Sequence, residues 1–239
     1  MAGPHNGATG FGGRQALLVD ADDTLWANNI HFERAIAEFI AFLAHSTLAA
    51  AEVRAALDEI ERVNIAVHGY GAAGFARNLC ACYERLAERE IADDDLARVR
   101  ALGEQILELP IALFAGVAET LRELAGRHDL VLVTKGHHEE QRRKIERSGI
   151  AAYFARTVIV PEKDVSVYER LVAELGSEPA RTWMIGNSPK SDINPALAAG
   201  LNAVYVPCAE TWRLEHEELH AAPGRLLVLD RFADLRLHF

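Results

Sequence analysis

Two aspartates separated by one residue, Asp20-Ala21-Asp22, follow the short apolar run Ala16-Leu17-Leu18-Val19. In an extended segment, residues i and i+2 point to the same side. Two carboxylates on one side attract a divalent cation, and oxygen-only ligands favour a hard ion such as Mg2+, which keeps several waters. Without the ion, each carboxylate would raise the pKa of the other. With it, one can stay ionised as a nucleophile while the other exchanges a proton. Taken alone, Asp-x-Asp reads equally well as a turn that caps a helix.

Three further clusters could converge on this pair. Thr134-Lys135-Gly136 follows the run 130–133, where a hydroxyl and the amides of Lys135 and Gly136 would face an anion at a helix start. Asp23 adjoins the pair and is expected on the substrate side with them. Lys163 follows the run 157–160 and could neutralise phosphate charge and hold a carboxylate. Gly186-Asn187-Ser188-Pro189-Lys190-Ser191-Asp192 follows the run 182–185. Asn194-Pro195 reads as an N-cap with Pro at the first helical position, a turn that would hold Asp192 beside the metal.

Each cluster therefore sits at the end of an apolar run, and those runs must be strands of one sheet. Helical periods over 117–126, 138–148, 165–175 and 195–199 separate the runs, with Ala203–Val206 and Leu226–Leu229 as further strands. Strands alternating with single helices predict a parallel α/β sheet, whose ligands collect at the strand carboxyl ends. Between the first run and the rest lie four amphipathic helical patterns without a strand. The second is marked by Val53, Leu57, Ile60, Val63 and Val67, and the set closes at Pro110. The expected organisation is a tail (1–15), an α/β domain (16–26 and 112–239) and a helical cap inserted at 27–111. Within the tail, Gly10-Phe11-Gly12-Gly13 imitates a phosphate loop but precedes the first strand instead of following it.

Composition narrows the function classes. The chain has 239 residues, half of them apolar, and a net charge of −10 from 25 Lys+Arg against 35 Asp+Glu. No basic run offers a groove for nucleic acid or an anionic membrane, so neither is an expected partner. No apolar run approaches the roughly 18 residues of a membrane span, and the amino terminus lacks the pattern of a secretory signal. Cys80, Cys82 and Cys208 form no disulfide framework, which points to a reducing, cytoplasmic setting with Cys80 and Cys82 as buried thiols.

The set Asp20-x-Asp22-x-Thr24, Thr134, Lys163 and Gly186-Asn187-x4-Asp192 resembles the signatures of the haloacid dehalogenase-like hydrolase superfamily, in order. The helical insert resembles that family's C1-type cap. The resemblance implies a Rossmann-like sheet, Mg2+ dependence and an aspartyl-phosphate intermediate formed from a small phosphorylated metabolite. It maps Asp20 as nucleophile and Asp22 as the acid that protonates the leaving group and then deprotonates water. Thr134 and Lys163 would hold phosphoryl oxygens and balance charge, and Asp20, Asp22, Asn187 and Asp192 would surround the ion. Three positions depart from the family pattern. Asp23 replaces a frequent glycine, Asp164 stands where Pro is common, and Asn187 stands where Asp is usual. The last costs the site one negative charge, which Asp192 would compensate directly or through water.

Other readings use the same residues. A haloacid dehalogenase attacks carbon and releases a halide, which leaves Asp22 and the metal acids without a task. A phosphomutase returns the phosphoryl group to substrate. A signalling receiver clusters acids, Thr and Lys in a much shorter chain without a cap. A decayed binding protein should have lost a catalytic residue, whereas Asp20, Asp22, Thr134 and Lys163 all remain; Asn187 is its best support. Cap residues Asn28, Asn29, His31, His68, Tyr70, Arg77 and Asn78 could face the rim, with solvated loop or core packing as the ordinary reading of each. Trp26 is expected to pack at the hinge.

Overall fold

The computed structural model describes residues 13–239, apart from the side chains at 66 and 68. The glycine-rich segment 1–12 and the His68 side chain lie outside the described residues. Side chains of the central strands alternate between two apolar layers, as a period of two dictates when both faces are covered. In β1 (Ala16–Val19), Leu17 and Val19 enter one layer and Leu18 the other. In β2 (Asp129–Lys135), Leu130 and Leu132 take the first layer, Val131 and Val133 the second. In β4 (Thr182–Gly186), Trp183 and Ile185 oppose Met184.

With β3 (Arg156–Val160), β5 (Asn202–Tyr205) and β6 (Leu226–Val228), these form one six-stranded sheet in the order β3-β2-β1-β4-β5-β6. Every neighbouring pair is parallel. The protein is thus an α/β Rossmann-like sheet, with a register that sets Val19 beside Leu132 and Ile185. Residues 14 and 15, expected in the tail, extend the β1 edge instead. The Asp129 amide donates to the Gln15 carbonyl at 2.9 Å, and Arg14 pairs with Asp129 at 2.7 Å.

Four helices follow β1: α1 (Asn29–Leu43), α2 (Ala50–His68), α3 (Ala72–Leu86) and α4 (Asp93–Glu104). They close around their own apolar cluster, which includes Phe39, Leu57, Leu79, Tyr83 and Val99. Cys80 and Cys82 are buried free thiols there. The α2 face departs from the sequence period. Val53 and Leu57 are buried, but Val63 and Val67 are 64% and 73% exposed. Arg54, Asp58 and Glu61 turn inward in their place. Arg54 can do so because its guanidinium is met by Glu33 and Asp58 at 2.5 and 2.8 Å.

The chain enters and leaves the helical insert through paired segments. The Phe114 amide donates to the Leu25 carbonyl at 2.9 Å, and Trp26, 1% exposed, bridges to Leu113. The sheet is then completed by α5 (Val117–Ala125), α6 (His138–Ser148), α7 (Val165–Leu175) and α8 (Asn194–Ala198). Asn194 does not cap α8. Its side chain reaches the Glu218 carbonyl and the His220 amide, while the Ser188 hydroxyl accepts the Ser191 amide and a helical turn already begins at Pro189. Among the described residues, no helix is long and apolar enough to cross a membrane.

Candidate active site

Strands β2, β1 and β4 lie side by side, so their carboxyl ends deliver Thr134, Asp20 and Asn187 to one rim. The connections leave β1 in one direction and β4 in the other, and a crevice opens at such a switch point. Asp164, capping α7 through the Val167 amide at 2.9 Å, fixes the turn that carries Lys163. Lys163 Nζ donates to Asp20 Oδ1 at 2.5 Å and to Asp192 Oδ1 at 2.7 Å. The Thr24 hydroxyl lies 2.8 Å from Asp20 Oδ2 and 3.1 Å from Asn187 Oδ1. Gly186 leaves room for Asp192, since a Cβ there would stand 2.2 Å from Asp192 Oδ2.

Two buried carboxylates share one ammonium, which leaves an excess of negative charge. Burial, joined by the charge of Asp192, pushes Asp20 up to about 7 against the pull of Lys163. Burial would lower Lys163, but Asp192 and Asp20 outweigh it and hold its pKa above the ordinary lysine value. A further positive charge would relieve this excess. Asp20, Asp192 and the Asn187 amide carbonyl offer oxygen donors alone, a set that fits a hard divalent ion. Among the described residues no three His, Cys, Asp or Glu side chains converge as a metal set, so the third side-chain oxygen would be that of Asn187.

Asp22 does not join these oxygens. Its carboxylate accepts Lys144 Nζ at 2.8 and 2.6 Å, Trp26 Nε1 at 2.7 Å and Gln141 Nε2 at 3.0 Å. Burial works upward on Asp22, but the Lys144 ammonium prevails and holds the carboxyl below its usual range. The carboxylate expected to ligate the ion is thus already held by Lys144, a cation supplied from α6. Asp23 is also turned to other work. Its φ is 60°, and its Oδ1 accepts the amides of Asn28 and Asn29 at 2.9 and 3.0 Å, at the start of α1.

Thr134 is buried and accepts Gln141 Nε2 at 2.6 Å, which leaves its own O–H free to donate. The amide of Gly136 is spent on the Val160 carbonyl at 3.1 Å, so it does not face an anion as expected. The Lys135 ammonium is likewise engaged, by Glu215 at 2.6 Å, Ser191 Oγ at 2.8 Å and the Tyr70 ring at 4.4 Å. Burial acts to raise Glu215, but Lys135 lowers it overall.

Gln141, Lys144 and Glu215 carry no signal of their own in the sequence. The available hint is that Gln141 and Lys144 sit three apart on α6, and therefore on one helical face. Tyr70 does reach the rim, donating to Glu162 Oε2 at 2.6 Å. Asn28 accepts Lys144, and Asn29 donates to the Glu210 carbonyl. Arg77 is exposed. A cavity of about 200 Å3 lies between cap and sheet, lined by Asp20, Thr134, Lys163 and Asn187 on one side and by Phe32, Glu61 and Phe75 on the other.

A family model for haloacid dehalogenase-like hydrolases matches residues 15–200. The chain belongs to the haloacid dehalogenase-like hydrolase family. A family hydrolase from Xanthomonas campestris is 31% identical, with a TM-score of 0.80 over 93% of this chain and 92% of that one. L-2-haloacid dehalogenase from Xanthobacter autotrophicus is 17% identical, with a TM-score of 0.62 over 93% of this chain and 96% of its own, and shares the fold. Phosphoserine phosphatase of Thermus thermophilus is 29% identical over 82 residues, 32% of this chain. The match spans a third of that relative's length, 33%. Membership makes the protein a hydrolase by family, with the Asp20 rim as its candidate centre.

Proposed function

We propose that this hydrolase cleaves small phosphomonoesters, with Asp20 as the nucleophile and a Mg2+ ion held by Asp20, Asp192 and Asn187. The observation that carries this reading is that two buried carboxylates, Asp20 and Asp192, share the single Lys163 ammonium, while the Thr24 hydroxyl joins Asp20 to the Asn187 amide oxygen. A dehalogenase attacks neutral carbon and releases a halide that needs no proton, whereas an alkoxide leaving group needs one. An attack on phosphate brings anion against anion, and the bound ion supplies the positive charge that offsets the repulsion.

The chain's own residues would then act in sequence. Lys163 and the free O–H of Thr134 hold the phosphoryl oxygens while an Asp20 carboxylate oxygen attacks phosphorus. The P–O bond to the leaving group breaks, and Asp22 passes a proton to the departing alkoxide. The phosphate dianion favours protonated Asp22 by opposing Lys144. Asp22, now ionised, takes a proton from the water that splits the aspartyl phosphate, which regenerates Asp20. The cap domain, residues 27–111 in this reading, covers the rim and excludes bulk water during attack.

Turnover of a panel of phosphorylated metabolites in Mg2+, against the same panel in EDTA, tests the proposal. Metal-dependent phosphate release is the expected result. Halide release from 2-haloacids without phosphate release would transfer the assignment to the dehalogenase reading.

A further inference from the structure

The cap half of the cavity is mostly apolar, with Phe32, Ile36, Ile65, Phe75 and Ile106 on its wall. Glu61 of α2 interrupts that wall. It is 6% exposed, and among the described residues its Oε2 has no hydrogen-bond partner. An orphaned buried oxygen is uncommon and calls for a missing partner. The cations nearby are already committed. Arg54 spans Glu33 and Asp58, and Arg213 lies 3.2 Å from Asp58. Three acids, Glu33, Asp58 and Glu61, therefore face two guanidiniums, and Glu61 is the one left over.

We propose that this half of the cavity is a subsite for a cationic, amine-bearing leaving group, with the Glu61 carboxylate as the acceptor of its ammonium N–H. The inference rests on the phosphomonoesterase reading for the opposite half of the cavity, which would hold the phosphate. A hydroxyl could satisfy the oxygen, but a cation also balances the third acid once it is ionised. Burial, with the charges of Asp58 and Glu33, pushes Glu61 up to about 7 despite Arg54. A carboxyl in that state is readily ionised by an arriving ammonium. The apolar wall suits the methylene chain between amine and phosphate, and the volume of about 200 Å3 restricts the ligand to a small one.

Phosphonates, whose C–P bond is not hydrolysed, separate binding from turnover. Aminoalkyl phosphonates of increasing chain length are titrated calorimetrically in Mg2+, each against the isosteric alkyl phosphonate. The wild-type protein should bind one amine at least about tenfold more tightly than its neutral isostere, the size of one charge-assisted hydrogen bond. Glu61→Gln should abolish that preference. Glu61→Leu, which buries no polar atom, is made alongside so that a folded variant is in hand. Equal binding of amine and isostere by the wild type would overturn the subsite and leave the phosphate reading standing. A preference that survives in either folded variant would remove Glu61 from it. Binding of neither ligand would overturn the phosphate reading, and the subsite with it.

Discussion

The Lys144 ammonium grips both carboxylate oxygens of Asp22, at 2.8 Å and 2.6 Å, from the face of a helix that begins more than a hundred residues later in the chain. The pair is only about one-fifth exposed, with side-chain accessibilities of 18% and 22%. Breaking it from one side leaves a poorly solvated charge behind. Lys144→Met and Asp22→Asn should therefore each destabilise the protein more than the pair of changes combined would suggest. A double-mutant cycle by urea unfolding should give a coupling of about 1–3 kcal/mol. A coupling near zero would mean that the two side chains do not depend on each other.

Glu61 makes stability depend on pH. Its folded pKa lies near 7 against an ordinary 4.5, raised by burial. Within that window the folded protein keeps a proton that the unfolded chain has released, so stability falls as pH rises and levels off above it. Glu61→Gln removes this dependence. Its advantage over wild type should grow from about pH 5 to about pH 8, by on the order of 2–3 kcal/mol. Thermal unfolding across the range checks it, and parallel curves for the two proteins would contradict it.

Glu140 of α6 ties the sheet to the cap. Its Oε2 accepts the Ala72 amide at the start of α3 at 2.8 Å. Gly71 permits the contact: its φ is 129°, and a Cβ there would lie 2.7 Å from the same oxygen. Glu140→Ala removes a helix cap, a loss of about 0.5–2 kcal/mol. Hydrogen exchange at Ala72 and Ala73 should accelerate, while α1 amides keep their wild-type rates. Unchanged exchange at Ala72 would show that the contact does not hold α3.

The metal set predicts an order of losses. Asp192→Ala should weaken Mg2+ binding more than Asn187→Ala, because a carboxylate brings charge and an amide only a dipole. Isothermal titration of the two variants decides between the ligands. Equal or reversed losses would make Asn187 the dominant one.

The sheet was legible because its strands are covered on both faces. The runs 16–19, 130–133 and 182–185, short and separated by helical periods, read as strands, and their ends place Asp20, Thr134 and Asn187 on a single rim. Lys163 was legible for the same reason. Orientation within the rim was not. Nothing local announces that Asp22 will meet Lys144 and Gln141, since those partners come from a distant helix. The α2 stripe failed differently. Val63 and Val67 fit a helical period, yet Arg54, Asp58 and Glu61 occupy the inward face. A part-buried ion pair between Arg54 and Glu33 overrides the apolar pattern there, and that partner belongs to another helix. Asn194 misled because a cap signal and a long-range contact use the same side-chain atoms.

In the proposed reaction Asp20 carries the phosphoryl group. Protein mixed with a turned-over phosphomonoester and Mg2+ is quenched in acid during steady state, digested, and mapped by mass spectrometry. A phosphoryl adduct is expected on the peptide containing Asp20, absent in Asp20→Asn and absent in EDTA. An adduct on any other residue, or undiminished phosphate release by Asp20→Asn, would contradict it.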